Sequence, residues 1–148
     1  MITELNISVR EIMSSSVLFA RLGQAFMEIC RLFLELNIHH LPVVNEKGEL
    51  VGMLSSNDVL HAFAFQLPMG QKTDEDLLNR TFKVEELMTP QPLFTIGPED
   101  SLIIASRLFT QHKIHALPVI ENGQLIGIIT ANDLTSYFAS KEEEIRFV

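Results

Sequence analysis

The chain has 148 residues, 47% of them hydrophobic, with 11 basic and 19 acidic side chains and a formal net charge of −8. That is enough chain for one well-buried globular module, and its acidity argues against nonspecific binding to nucleic acid or an anionic membrane. No run nears the ~18 apolar residues of a spanning helix, the start MITELNISVREIM lacks a signal-peptide core, and the lone Cys30 has no intrachain partner, which points to a reducing, cytoplasmic setting.

From the N-terminus, VREIM at 9–13 opens the first of two repeats. Leu22, Phe26, Ile29, Cys30 and Phe33 then follow helical spacing. Two apolar strands come next, HLPVV (40–44) and ELVGMLS (49–55), joined by the turn NEKGE, and a second amphipathic helix begins in NDVLHAFAF (57–65). Residues 65–81 read as a linker with helical content, and their acidic run TDEDLL as a solvated helix face. VEELM at 84–88 opens the second repeat, and PLFTI (92–96) is a short extended segment. GPEDSLIIASRLFTQHK (97–113) is a helix, with Pro98 at its first position, Glu99 and Asp100 in its first turn, and Leu102, Ala105, Leu108 and Phe109 as its apolar stripe. ALPVI (116–120) and QLIGIIT (124–130) are strands joined by Asn122-Gly123, a strong hairpin signal, and NDLTSYFAS (132–140) is the closing helix. In each repeat the strand before the first helix and the strand after it should be neighbours in one mostly buried sheet. Met13 and Met88 stand 75 residues apart, Pro42 and Pro118 76, and Asp58 and Asp133 75 again. The length differences therefore fall in loops, where a preserved core tolerates them.

The repeated junctions LSSNDV (54–59) and ITANDL (129–134) each set an aspartate beside an apolar strand, which costs stability unless the carboxylate is paired. Asp58 and Asp133, or Asn57 and Asn132, suit N-caps of the helices that follow. The aspartates equally suit ligand contact, and the two roles are compatible. Little else suggests chemistry. His39 and His40 are neighbours on a strand and point to opposite faces, with no carboxylate or cysteine at ligand spacing. There is no G-x-S-x-G, H-E-x-x-H or P-loop, so an enzyme is not expected and no catalytic residue is assigned. Cys30, Met27, Met53 and Met88 read as core, and His61 and His112 as surface residues.

The ordered set EIMSS, HHLPVV and LVGMLSSND, followed by ELMTP, HALPVI and LIGIITAND, resembles the cystathionine-β-synthase (CBS) domain family over nearly the whole chain. The resemblance implies an α/β (α+β) fold with repeats at 7–64 and 82–140 that form one module. Each is a small mixed sheet with helices packed on it, and the two are intertwined about a pseudo-two-fold axis. It implies a stand-alone regulatory module that senses an adenine nucleotide (AMP, ADP or ATP, with S-adenosylmethionine or NAD ranked behind) in two sites that mix repeats. One set is Ser55, Asp58, Leu93, Phe94, Thr95, Ile114, His115 and Ala116. The other is Thr130, Asp133, Leu18, Phe19, Ala20, Ile38, His39 and His40. The aspartate would take the ribose hydroxyls, and the Ser55 or Thr130 hydroxyl would lie near phosphate or ribose. The Asp58 set is the expected tighter one, because its loop MTPQPLFTIGP fits the family pattern and supplies Thr95 where Ala20 stands in the other. A homodimer is expected, read by a second copy or by a separate effector protein; no nucleic acid, membrane or metal is expected. The rival reading is a dimerising or docking scaffold that holds no nucleotide.

Overall fold

In the computed structural model, residues 6–67, 69–70 and 72–145 are described. Two compact units divide the chain, one of Leu18–Leu93, the other of Met1–Val17 with Phe94–Val148 so far as these are described. The chain begins with α1 (Val9–Ile12), which belongs to the second of these units.

The Leu18–Leu93 unit runs β1 (Ala20–Arg21), α2 (Phe26–Leu36), β2 (His40–Val44), β3 (Leu50–Ser55), α3 (Ser56–Gln66), α4 (Glu75–Thr81), α5 (Val84–Leu87) and β4 (Thr89–Pro90). The sheet order is β1-β2-β3-β4, with β1 parallel to β2 and the other pairs antiparallel. The expected neighbourhood of the strand before the helix and the strand after it is seen in Ala20 opposite Val43. Leu41, Val43 and Leu54 are buried on this sheet, and α2 lays Phe26, Ile29, Cys30 and Phe33 on the same core. Phe26 is central, with its ring 4.9 Å from Phe82 and 5.7 Å from Phe63; burying such a side chain stabilises by about 1.5–3 kcal/mol. α2 stops at Asn37, which takes the left-handed conformation (φ 50°) that Asn tolerates at a helix end.

The other unit repeats the plan with α6 (Leu102–His112), β5 (Ala116–Glu121), β6 (Gln124–Thr130) and α7 (Ala131–Ile145). β5 and β6 form a hairpin closed by Asn122 and Gly123, both at positive φ, as the dipeptide predicts. Ile96 bridges Val119 in parallel, the counterpart of Ala20 and Val43. Val9, Leu102, Ala105, Phe109, Leu117 and Ile129 are buried together here. Sequence spacing puts Pro98 in the first turn of α6, but the helix starts at Leu102 with Ser101 as its N-cap. The reason is a long-range contact: the Pro98 and Asp100 carbonyls accept the Arg10 and Val9 N–H groups at 2.9 and 2.8 Å. Residues 97–100 thus form a turn that holds α1 rather than a turn of helix.

Each unit therefore contains the opening segment of the other repeat. Met88 and Thr89 lie on Gly52, and Met13 and Ser14 lie on Gly127. The ladder confirms the contact, with Gly52 opposite Pro90 and Ser14 bridging Ile128. A side chain at either glycine would meet a methionine sulfur and a backbone carbonyl, so the close approach requires glycine at both.

Candidate functional site

Both junctions are built the same way. α3 begins one residue after Ser55, whose hydroxyl accepts the Asp58 N–H at 3.1 Å, while the Asp58 Oδ2 accepts the Ser55 N–H at 2.8 Å. At the start of α7 the Thr130 hydroxyl accepts the Asp133 N–H at 3.1 Å, and the Asp133 Oδ2 accepts the Thr130 N–H at 2.8 Å. These are reciprocal capping boxes. The expectation that Asp58, Asp133, Asn57 or Asn132 is an N-cap is thus corrected. The caps are Ser55 and Thr130, whose extended backbone lets a short hydroxyl reach back to the helix, and each aspartate is the third helical residue.

This arrangement determines what the groups can still do. One carboxylate oxygen of each aspartate is tied down, which fixes the rotamer. Among the described residues the Oδ1 atoms of Asp58 and Asp133 accept no hydrogen bond. A free carboxylate oxygen takes two donors, and each capping hydroxyl, already accepting, keeps its own proton to donate. The first turn of a helix adds N–H groups and the positive end of its dipole. The pair suits a ligand carrying hydroxyl donors next to an anionic group.

Each junction lies against the start of its own repeat's H-x-L-P strand. His40 is opposite Ser55, and the Ser56 N–H donates to the His39 carbonyl at 2.9 Å, with the Ser56 hydroxyl 3.4 Å from His39 Nδ1. Likewise Ala116 is opposite Thr130, and the Ala131 N–H donates to the His115 carbonyl at 2.9 Å. The Leu18–Leu93 unit holds Ser55, Asp58 and Leu93 with Leu18, Phe19, Ala20, Ile38, His39 and His40. The other holds Thr130 and Asp133 with Phe94, Thr95, Ile114, His115 and Ala116. Both expected sets thus draw members from both units.

The strand ladder also shifts one expected equivalence. Ala20 faces Val43 as Ile96 faces Val119, so Ala20 matches Ile96, and Phe19 stands in the register of Thr95. Ala20 and Ile96 are both buried, whereas Phe19 and Thr95 are exposed. The contrast drawn from Ala20 against Thr95 therefore compares an inward position with an outward one. Two neighbours escape sequence reasoning. The Arg21 guanidinium lies 5.1 Å from the centre of the Phe19 ring, and the His112 ring stacks on Phe94 at 3.8 Å. Strand period alone could have paired Phe19 with Arg21; nothing local links Phe94 to His112, although the surface position expected for His112 is observed.

A cleft of about 440 Å³ opens between α2 and α3, lined by Met27, Cys30, Leu34, Leu60 and Phe63, with His39 and Ser56 at its polar side. Burial pushes the Cys30 thiol up to about 11, so it is protonated at neutral pH and a poor nucleophile. Among the described residues no three His, Cys, Asp or Glu side chains gather as a metal set, and no helix is long and apolar enough to cross a membrane.

The CBS domain profile matches residues 9–65 and 84–140. CBS domain-containing protein YhcV of Bacillus subtilis is 32% identical over 135 residues, covering 91% of this chain and 88% of that protein. Homoserine O-acetyltransferase of Methanococcoides burtonii is 33% identical over 128 residues, which are 86% of this chain but 23% of the enzyme. The chain likewise spans 24% of L-aspartate semialdehyde sulfurtransferase of Methanocaldococcus jannaschii, so it covers about a quarter of these longer relatives. Among solved structures, the CBS domain pair of protein MJ0100 in complex with 5′-methylthioadenosine and S-adenosyl-L-methionine superposes with a TM-score of 0.76 at 26% identity, over 91% of this chain and 98% of that one. CBSX2 in complex with AMP gives 0.72 at 25% identity, over 91% and 98%.

Proposed function

The chain belongs to the CBS domain family, and from that premise we propose that it is a regulatory module that binds an adenine nucleotide, AMP or ATP before S-adenosylmethionine or NAD. The observation that carries this reading is the duplicated capping box. Asp58 and Asp133 are each held in one rotamer by a backbone N–H and each keep an oxygen for a ribose diol. Ser55 and Thr130 each keep a hydroxyl proton for the phosphate side. Structural neighbours that bind AMP, or 5′-methylthioadenosine and S-adenosyl-L-methionine, support the adenosine part of the proposal. Binding would favour one arrangement of the module, which a second copy or a separate effector then reads. We propose a homodimer as the working form.

A thermal-shift panel of AMP, ADP, ATP, NAD, S-adenosylmethionine and 5′-methylthioadenosine tests the reading. Ligand at about 100 times Kd stabilises by about 2.7 kcal/mol, which for a chain of this size raises Tm by several degrees at roughly 2–4 °C per kcal/mol. No shift with any adenosine compound at millimolar concentration would overturn it and leave the scaffold reading.

A further inference from the structure

The two repeats supply an internal control for each other's candidate residues. The turn before the first long helix is closed the same way in both. The Arg21 N–H donates to the Gln24 side-chain oxygen at 3.1 Å, and the Gly97 N–H donates to the Asp100 carboxylate at 2.8 Å. The side chains carried on that turn differ in charge. Arg21 stands where the second repeat has Gly97, and the neutral Gln24 stands where it has Asp100. The first repeat has thus gained a cation and lost the anion that would sit beside it. The turn needs neither change, since Gly97 and Asp100 close it equally well, so the free charge calls for another reason.

The place of that charge supplies one. Ala20 is buried opposite Val43, and Arg21 is opposite Val44. Strand alternation therefore sends Phe19 and Arg21 to the face of the sheet that His40 and Pro42 share with Val44. The guanidinium folds back to 5.1 Å from the centre of the Phe19 ring, a cation–π contact that holds it beside a residue of the candidate set. Among the described residues Arg21 makes no salt bridge, whereas Arg10 and Arg31 are both paired with glutamates. Phe19, Arg21 and His40 correspond to Thr95, Gly97 and Ala116 of the second repeat. One half-site carries a guanidinium and an imidazole where the other carries neither. A lone phosphate can be met by a capping hydroxyl and a helix N-terminus, but further phosphates add negative charge that those groups do not neutralise. A guanidinium does, because its planar fork of donors matches phosphate oxygens two at a time.

We propose that Arg21, held on Phe19, contacts the outer phosphates of a nucleoside triphosphate and makes the half-site of the first repeat selective for ATP over AMP. This rests on the adenine-nucleotide reading above and names the ligand of one of its two sites. The test is titration calorimetry with ATP and with AMP on the wild type, Arg21→Gln and Gln24→Asp. Arg21 is exposed, and Gln24→Asp copies the second repeat's turn, so both variants should fold. Arg21→Gln should weaken one ATP-binding event about 10-fold and change AMP binding about 2-fold or less. Gln24→Asp sets a carboxylate beside the guanidinium and should weaken the same ATP event about 2–5-fold. If neither nucleotide binds the wild type, the adenine reading and this assignment fall together. If both bind but Arg21→Gln leaves ATP unchanged, or weakens AMP as much as ATP, the assignment of Arg21 falls alone. Full ATP affinity in Gln24→Asp would overturn its charge as the cause.

Discussion

Replacing Asp58 separates its two roles, because the capping box and the ligand use different properties of the carboxylate. In Asp58→Ala the Ser55 N–H loses its acceptor at 2.8 Å, while the Ser55 hydroxyl still accepts the N–H of residue 58. A hydrogen bond to a charged acceptor contributes about 1.5–3 kcal/mol, and a carboxylate at the start of a helix a further 0.3–1 kcal/mol or so. Asp58 is partly exposed, so the lower ends apply, and we expect a loss of about 2 kcal/mol, or a fall in Tm of roughly 4–8 °C. Asp58→Asn keeps a neutral oxygen for the Ser55 N–H and should cost about 1 kcal/mol or less. Both variants remove the charged acceptor that the ribose diol would use, and both should weaken AMP binding about 10–100-fold. The assay is thermal unfolding without ligand, then titration calorimetry with AMP, on both variants and on Asp133→Ala. An unchanged Tm in Asp58→Ala would refute the capping argument. Full AMP affinity in Asp58→Asn and Asp133→Ala would refute the ribose contact. If Asp133→Ala removes the tighter binding event and Asp58→Ala leaves it, the expected order of the two sites is reversed.

Two further outcomes follow from packing and burial. An added Cβ at Gly52 would lie 2.8 Å from the Thr89 carbonyl, and at Gly127 3.1 Å from the Ser14 carbonyl. Gly52→Ala should therefore lower the urea midpoint more than Gly127→Ala, within about 1–3 kcal/mol for each; the reverse order would refute the clash as cause. Cys30 is held protonated by burial, with its pKa raised to about 11. The unfolded thiol ionises first, so this contribution is intact below about pH 8.5 and is lost as pH rises to about 11. The stability difference between wild type and Cys30→Ala should shrink between about pH 8 and pH 10.5, and a constant difference would contradict the burial.

The hairpins and apolar stripes were legible because they are local. Asn122-Gly123 allows few other turns, and Phe26, Ile29, Cys30 and Phe33 share one face of any helix through them. The start of α6 was not, because Pro98, Glu99 and Asp100 make a good first turn until α1 claims their carbonyls, about 90 residues away in sequence. The aspartate junctions were half legible. Ser55 and Asp58 three residues apart already form a capping-box pattern, but a sequence does not say which oxygen stays free.

The exchange of opening segments shows why repetition informs less about pairing than about equivalence. Matching repeats establish that Met13 corresponds to Met88 and Gly52 to Gly127. The pattern is satisfied equally if each methionine lies on the glycine of its own repeat, since the same groups would be buried either way. Only the resemblance to an intertwined family argues for exchange, and the contacts place Met13 on Gly127 and Met88 on Gly52. Exchange makes each sheet depend on a segment supplied by the other repeat: β4 completes the edge beside β3, and Val84 and Phe82 fill the core under it. Neither repeat can then change its packing without pulling on a segment whose sequence neighbours belong to the other. A module that reports a ligand needs that property, because energy spent at one junction has to be felt beyond it.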